Sequence, residues 1–93
     1  DQYIDPIDVA VDQDKNIYVV DQDQMQVRVF NSQGNFFKEI EYYNQEDSLK
    51  IMIKPVAIAV DKRGVVYVCD EEAKSIHRFK LSNSLDEDII IDN

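Results

Sequence analysis

The sequence predicts an all-β protein made of two similar units, each with four antiparallel strands. Three observations lead to this fold class. Short runs of alternating apolar and polar residues recur along the 93 residues, and this period of two is typical of strands with one buried face. The whole order of runs and polar turns occurs twice. No segment of the sequence combines helical spacing with capping residues.

The first unit is predicted to contain strands at 7–12, 16–21, 27–30 and 36–42. The alternation is clearest in the first strand, where Ile7, Val9 and Val11 share one face. The segment NSQGN gives the strongest turn signal, because Gly34 can adopt a positive φ angle. The polar and acidic residues 43–50 (YNQEDSLK) predict a loop.

The second unit repeats this order without a gap after a shift of ~49 residues. Its strands are predicted at 56–61, 65–70, 76–80 and 89–91, with a polar linker at 81–88. The identical pairs include Pro6/Pro55, Ala10/Ala59, Val11/Val60, Asp12/Asp61, Tyr18/Tyr67, Val19/Val68, Asp21/Asp70 and Phe30/Phe79. Because so many ordered matches are not expected by chance, both units are expected to adopt the same structure.

The composition limits the classes of partner and site. The formal net charge of −9 disfavours binding to nucleic acids and to anionic membranes, which are bound through clustered Lys and Arg. No apolar run approaches the ~20 residues that cross a bilayer, so membrane insertion is not expected. Cys69 is the only cysteine and is equivalent to Val20, which predicts a buried structural thiol and fits a reducing, cytoplasmic location.

The repeated motifs resemble the NHL repeat, the blade unit of a family of β-propellers. The first copy carries PIDVAVD, KNIYVVD and VRVF with SQGN, and the second carries PVAIAVD, RGVVYVCD and IHRF. The resemblance implies two four-stranded antiparallel blades, at 1–43 and 55–93, joined by an inter-blade loop and lead-in at 44–54. It also implies that the chain forms about a third of a six-bladed propeller. Two blades do not close a ring, so further blades in the same chain or a covering chain are expected.

The resemblance also implies a contact surface. In this family, the loops joining strands two and three open on the same end as the loops leading to the next blade, and this end is the usual binding surface. The acidic residues expected there are Asp21, Asp23, Glu46, Asp47, Asp70, Glu71 and Glu72. They predict an acidic rim for a basic protein partner, with ordinary solvated loops as the alternative.

Other candidate residues point to structure rather than to chemistry. Asp12, Asp21, Asp61 and Asp70 end predicted strands, where carboxylates accept hydrogen bonds from turn amides, so turn caps are expected rather than metal ligands. His77 is the only histidine and is expected to lie on a strand, at the surface or half-buried. One histidine supports neither a zinc site nor a catalytic triad, so no cofactor is expected.

We therefore expect a protein-interaction scaffold built from NHL-type propeller blades, without enzymatic activity of its own. Relatives of this fold include amidating lyases and lactonase-like hydrolases that hold a metal near the central channel. The alternative is accordingly a pair of non-catalytic blades from such a metal-dependent enzyme. An RNA-binding role is less favoured, because the RNA-binding members use a positive surface and this chain is acidic.

Overall fold

The computed structural model describes residues 5–40, 42–45 and 48–81, with the backbone alone at 42–45 and 48–50. These residues form only β-strands and turns, which confirms the all-β class. No helix in this part of the chain is long and apolar enough to cross a membrane. The strands are β1 (Pro6–Val11), β2 (Ile17–Asp21), β3 (Gln26–Phe30), β4 (Phe36–Ile40), β5 (Tyr42–Gln45), β6 (Ser48–Ile51), β7 (Pro55–Val60), β8 (Val65–Asp70) and β9 (Ser75–Lys80).

The described strands form two larger antiparallel sheets and one hairpin. The first sheet has the order β1-β2-β3-β4, and the second has the order β7-β8-β9. Within each sheet, consecutive strands are therefore neighbours, as in a β-meander. The fourth strand predicted for the second unit, at 89–91, lies outside the described residues.

The loop predicted at 43–50 is wrong, because β5 and β6 pair there as an antiparallel hairpin from Tyr42↔Ile51 to Gln45↔Ser48. Tyr42, expected at the end of the fourth strand, starts this hairpin instead, and β4 ends at Ile40. In the sequence, the two acidic residues of the segment are flanked by tyrosines on one side and by a leucine and an isoleucine on the other, all of which favour strands. The polar composition of residues 43–50 as a whole therefore favoured a loop, although the residues at its two ends favour a hairpin.

The sequence repeat is also a repeat of backbone hydrogen bonds. The bulge between Pro6 and Asp8 in β1 recurs between Pro55 and Ala57 in β7. Gln22 N donates to Asp5 O, and the equivalent Glu71 N donates to Lys54 O, both at 3.0 Å. The two units thus share bulges and closing bonds as well as strand order.

The turns between the first two strands of each unit have the same backbone shape but different residues. Lys15 has a φ angle of 70° and the equivalent Gly64 has one of 86°. A Cβ built on Gly64 would meet no atom within 4 Å, so only the backbone conformation disfavours a side chain there. Lys15 is exposed and bears that conformational cost, while its amide donates to Asp12 O at 3.0 Å as the amide of Gly64 does to Asp61 O.

Replacing Lys15 by glycine is therefore expected to raise the free energy of unfolding by about 0.5–1 kcal/mol, because glycine removes the left-handed strain. Gly64→Ala is the matched reverse change and is expected to lower it by about 1 kcal/mol. Urea unfolding followed by circular dichroism measures both variants. A loss of stability in Lys15→Gly would contradict the strain assigned to this turn.

The hydrophobic core lies between one face of the first sheet and one face of the second. The register places Tyr18 opposite Val29 and Val20 opposite Val27, so these four buried side chains share a face, the first inner face. The second inner face consists of the buried residues Ile58, Val66, Val68 and Phe79, grouped by the same reasoning. β1 contacts β7 across this core.

A hydrogen bond to the Asp8 side chain joins the two sheets directly. Asp8 on β1 accepts a hydrogen bond from Ile58 N through Oδ2, at 2.9 Å, and another from Val9 N through Oδ1, also at 2.9 Å. One carboxylate therefore bonds an amide of β1 and an amide of β7. This contact fixes the position of the first strand of each sheet relative to the other.

Candidate functional site

At the same end of each sheet, a buried aspartate accepts hydrogen bonds from backbone amides. Asp21, the last residue of β2, accepts hydrogen bonds through Oδ1 from Asp5 N and Asp23 N, both at 2.9 Å. Each bond ties a segment outside the sheet to the strand end: the lead-in to β1 and the turn that follows β2. The carboxylate therefore fixes the β2–β3 turn, residues 22–25, against the start of the unit.

Asp70 makes the equivalent contacts at the end of β8. Its carboxylate accepts hydrogen bonds from Ile53 N at 2.8 Å, Lys54 N at 3.0 Å and Ala73 N at 3.0 Å. The β8–β9 turn, residues 71–74, is thereby held against the lead-in to β7. Met25 and Lys74, at equivalent ends of the two turns, have positive φ angles of 55° and 57°, so the turn shape itself is repeated.

A basic side chain from the next strand approaches each of these carboxylates. His77 Nε2 lies 2.7 Å from Asp70 Oδ2, and Arg28 Nη1 lies 4.0 Å from Asp21 Oδ2. Arg28 also pairs with Glu39, with 3.7 Å between Nη1 and Oε1. The expectation of a surface or half-buried His77 is wrong, because this residue is only 4% exposed.

Sequence reasoning missed this pairing, although a signal for it was present. In an antiparallel pair, the residue two positions beyond the direct partner of a strand-end residue lies on the same face. Asp70 pairs with Ser75, so His77 is that residue. The histidine lies on the second inner face, which the first sheet covers, and this explains its burial.

The environment of Asp70 changes its acidity. Burial opposes ionisation of the carboxylate, but the hydrogen bonds from His77 and from the amides of Ala73, Ile53 and Lys54 outweigh it. Together they hold the pKa of Asp70 well below its usual range. The charged form is therefore the one that the folded structure stabilises.

The aspartates after β1 and β7 bind the turns at the opposite ends of the strands. Asp12 accepts hydrogen bonds from Asn16 N at 2.9 Å and from the Tyr18 hydroxyl at 2.8 Å. Asp61 accepts them from Val65 N at 3.0 Å and from the Tyr67 hydroxyl at 3.0 Å. This is the geometry of turn caps.

Two of these contacts are accompanied by shifted acidities. Burial, reinforced by the hydrogen bond to Asp12, raises the pKa of Tyr18. The hydrogen bond from the Val65 amide is the main cause of a lowered pKa for Asp61. Within the residues that the structure describes, no group of three or more His, Cys, Asp or Glu side chains could hold a metal ion.

The predicted acidic rim is smaller than the sequence indicated. Asp21 and Asp70 are 0% and 3% exposed, so neither can contact a partner, and that part of the prediction is wrong. Oδ1 of Asp21 and both oxygens of Asp70 face the amides that these residues cap. The exposed acidic residues of the two turns are Asp23, Glu71 and Glu72. Glu46 and Asp47 lie outside the described residues.

Basic residues accompany the acidic ones at the second turn. Lys54 Nζ lies 3.2 Å from Glu71 Oε1, and Lys74 ends the same turn. Both partners of the ion pair are partly exposed, so it contributes little to stability. The turn therefore presents two carboxylates, one of which already has a lysine beside it.

Cys69 lies beside this turn and is exposed, so the expected buried thiol is wrong. Its equivalent in the first unit, Val20, is fully buried against the second sheet. The corresponding face of the second sheet is open around Cys69, where the paired residue Ile76 is 64% exposed. An open depression of about 420 Å³ lies there, lined by Val56, Cys69, Asp70, Glu71, Lys74, Ser75 and Ile76.

Comparison with models of protein families and with curated proteins found no match for this chain. The repeated motifs and the geometry of the two turns are therefore the basis for assigning a function.

Proposed function

We propose that the chain is a protein-interaction scaffold made of two NHL-type β-propeller blades, which presents the turns at 22–25 and 71–74 to a basic partner. The observation that carries the proposal is the fixing of each turn by a buried carboxylate, Asp21 or Asp70. A turn that is already ordered loses little conformational entropy when a partner binds. The motifs and the repeated strand order favour the blade assignment.

The charges of the turns indicate the kind of partner. Asp23, Glu71 and Glu72 are exposed, and the whole chain carries a formal net charge of −9. Lys54 pairs with only one of the three carboxylates. An extended segment rich in lysine or arginine is therefore the complementary ligand, and its approach is accelerated by the overall negative field.

The test uses a lysine-rich peptide and its glutamate-rich counterpart as probes, with amide shifts followed by NMR. We expect the lysine-rich peptide to shift the amides of residues 22–25 and 71–74 in low salt, at about 50 mM, and to bind much more weakly at about 500 mM. The triple variant Asp23→Asn, Glu71→Gln, Glu72→Gln is expected to weaken binding about tenfold.

The matched single-charge controls are Glu72→Gln in the second turn and Asp14→Asn, an exposed aspartate in the turn between β1 and β2. Only Glu72→Gln is expected to weaken binding. Equal losses in both variants would indicate a response to net charge alone. That result, or unchanged binding by the triple variant, would overturn the proposed contact surface.

A further inference from the structure

Each of the two sheets has an outer face that carries exposed apolar strand residues. On the first sheet, the register groups Val9, Val11, Ile17, Val19 and Phe30 as the first outer face, which also carries the buried Asp21 and Arg28 at the end nearest the β2–β3 turn. On the second sheet, it groups Ala59, Tyr67, Cys69, Ile76 and Arg78 as the second outer face. Val9, Val11 and Ile76 are 56%, 53% and 64% exposed, which is unusual for β-branched strand residues.

The repeat relates these exposed faces to the buried ones. The shift that superimposes the units carries the first outer face onto the second inner face, because Val9 matches Ile58, Val19 matches Val68 and Phe30 matches Phe79. It carries the first inner face onto the second outer face, through the pairs Tyr18/Tyr67, Val20/Cys69 and Val27/Ile76. The two exposed faces are therefore equivalent to the two halves of the interface that the chain already contains.

We propose that copies of the chain associate head to tail, with the second outer face of one copy packed on the first outer face of the next. The partner on each outer face is a second copy of the chain, because one chain carries both complementary surfaces. Their residue types match those that already pack between its own two sheets. Such a contact is heterologous and repeats the rotation between the two sheets. It does not depend on the proposed function, because it rests on apolar strand residues rather than on the acidic side chains of the turns, although Glu71 and Lys74 border the second outer face.

Two departures from the internal interface are compatible with this packing. Ala57 stands where Asp8 makes the bond between the sheets, but Val9 N is already bonded to Asp8 of its own chain at 2.9 Å and is not left unpaired. Arg78 stands where Val29 is buried, and its guanidinium lies over the ring of Tyr67, with 6.0 Å to the centroid. Its alkyl stem can therefore lie along an apolar surface. The association is expected to be weaker than the internal contact.

The net negative charge of each copy makes the head-to-tail association depend on salt in the opposite direction to peptide binding. Copies that each carry a formal net charge of −9 repel one another, and salt screens this repulsion. Association through the outer faces should therefore strengthen with salt. Binding of a basic peptide to the turns should weaken with salt, so the two proposals can fail separately.

Sedimentation equilibrium of the chain at about 10–500 µM tests the proposal, a range that covers the affinity of a weak apolar contact. We expect the average mass to rise with concentration above that of one 10.8 kDa chain, and to rise further when salt is added. A chain that stays monomeric throughout would overturn the proposal, whatever else covers these faces in a larger assembly.

Two substitutions distinguish head-to-tail contact from symmetric contact. Ile76→Lys blocks the second outer face and Val9→Lys blocks the first, and both side chains are exposed, so folding is expected to be retained. Each variant alone should be monomeric, whereas an equal mixture should form dimers and nothing larger. Gln33→Lys, an exposed turn residue with the same charge change, should associate like the original chain.

The proposal is overturned if either variant alone still associates, or if the mixture stays monomeric. Cys69 provides an independent readout, because head-to-tail packing covers it without bringing two copies of it together. Its alkylation should slow as the chain associates, and mild oxidation should give no disulfide-linked dimer. Rapid formation of that disulfide in the associated state would indicate contact between two second outer faces.

Discussion

Replacing Asp70 by alanine is expected to lower the free energy of unfolding by about 3–5 kcal/mol, because several buried donors lose their acceptor at a cost of about 1–3 kcal/mol each. The carboxylate accepts hydrogen bonds from three backbone amides and lies 2.7 Å from His77 Nε2. Alanine would leave these buried donors without their acceptor, and the β8–β9 turn would lose its tie to the lead-in of β7. Urea unfolding at neutral pH measures the loss.

The pH dependence of stability separates the effect of the charge on Asp70 from the effect of its hydrogen bonds. Because the folded state lowers the pKa of this carboxyl, its contribution to stability is fully present above the ordinary aspartate pKa, about 4, and is lost as the pH falls towards the lower folded value. Asp70→Asn keeps an acceptor oxygen but has no charge to lose. The stability difference between the original chain and Asp70→Asn should therefore shrink as the pH is lowered from about 5 to 2.

Asp14→Ala is the control for Asp70→Ala, because Asp14 lies exposed in a turn. Its expected effect is within about 0.5 kcal/mol, as for most surface substitutions. A stability difference for Asp70→Asn that stayed constant with pH would contradict the lowered pKa. A loss under about 1 kcal/mol for Asp70→Ala would contradict the role of this carboxylate as the tie between turn and sheet.

The strand order was accessible from the sequence because it depends on a local pattern that occurs twice. β2 and β8, for example, carry the same order of apolar and aromatic residues and end in the same aspartate. The hairpin of β5 and β6 has no second copy within the described residues and a strongly polar centre. Neither repetition nor composition could therefore indicate it, although its paired flanks have strand propensity.

Burial could not be predicted in the same way, because it depends on which face another sheet covers. Val20 and Cys69 occupy equivalent strand positions, yet one is fully buried and the other is exposed. Arg28 and His77 are also equivalent and both are buried, but only His77 lies on a face that the other sheet covers, whereas Arg28 lies over the ring of Phe36, 4.8 Å from its centroid. Period-two alternation says which residues share a face, but the packing of the two sheets decides which faces form the core.

The candidate site was only partly predictable for a related reason. A strand-end aspartate identifies a cap, but its burial depends on how many amides converge on it. Three backbone amides approach Asp70, two of them from the lead-in to β7, 16 and 17 residues earlier in the chain. This convergence exists only after the lead-in folds back over the strand end. The loss of Asp21 and Asp70 from the predicted rim follows from that long-range contact.

The packing of the two sheets can be tested at Phe79, whose side chain is fully buried on the second inner face. Phe79→Ala is expected to lower the free energy of unfolding by about 3–5 kcal/mol, because it removes a large aromatic side chain and leaves a cavity between the sheets. If this variant shows no cooperative unfolding, Phe79→Leu gives a smaller and measurable loss. Both are followed by urea unfolding at a concentration where the chain is monomeric.

Phe30 is the matched control, since it is the equivalent residue of the first unit but lies half-buried on the first outer face. Its ring meets Phe36 edge to face, with centroids 5.9 Å apart, so Phe30→Ala should cost less than half as much as Phe79→Ala in the monomer. Equal costs would contradict the packing of the second inner face against the first sheet. The cost of Phe30→Ala should also grow as the protein concentration is raised, because head-to-tail association would cover Phe30, whereas Phe79 is already covered within one chain.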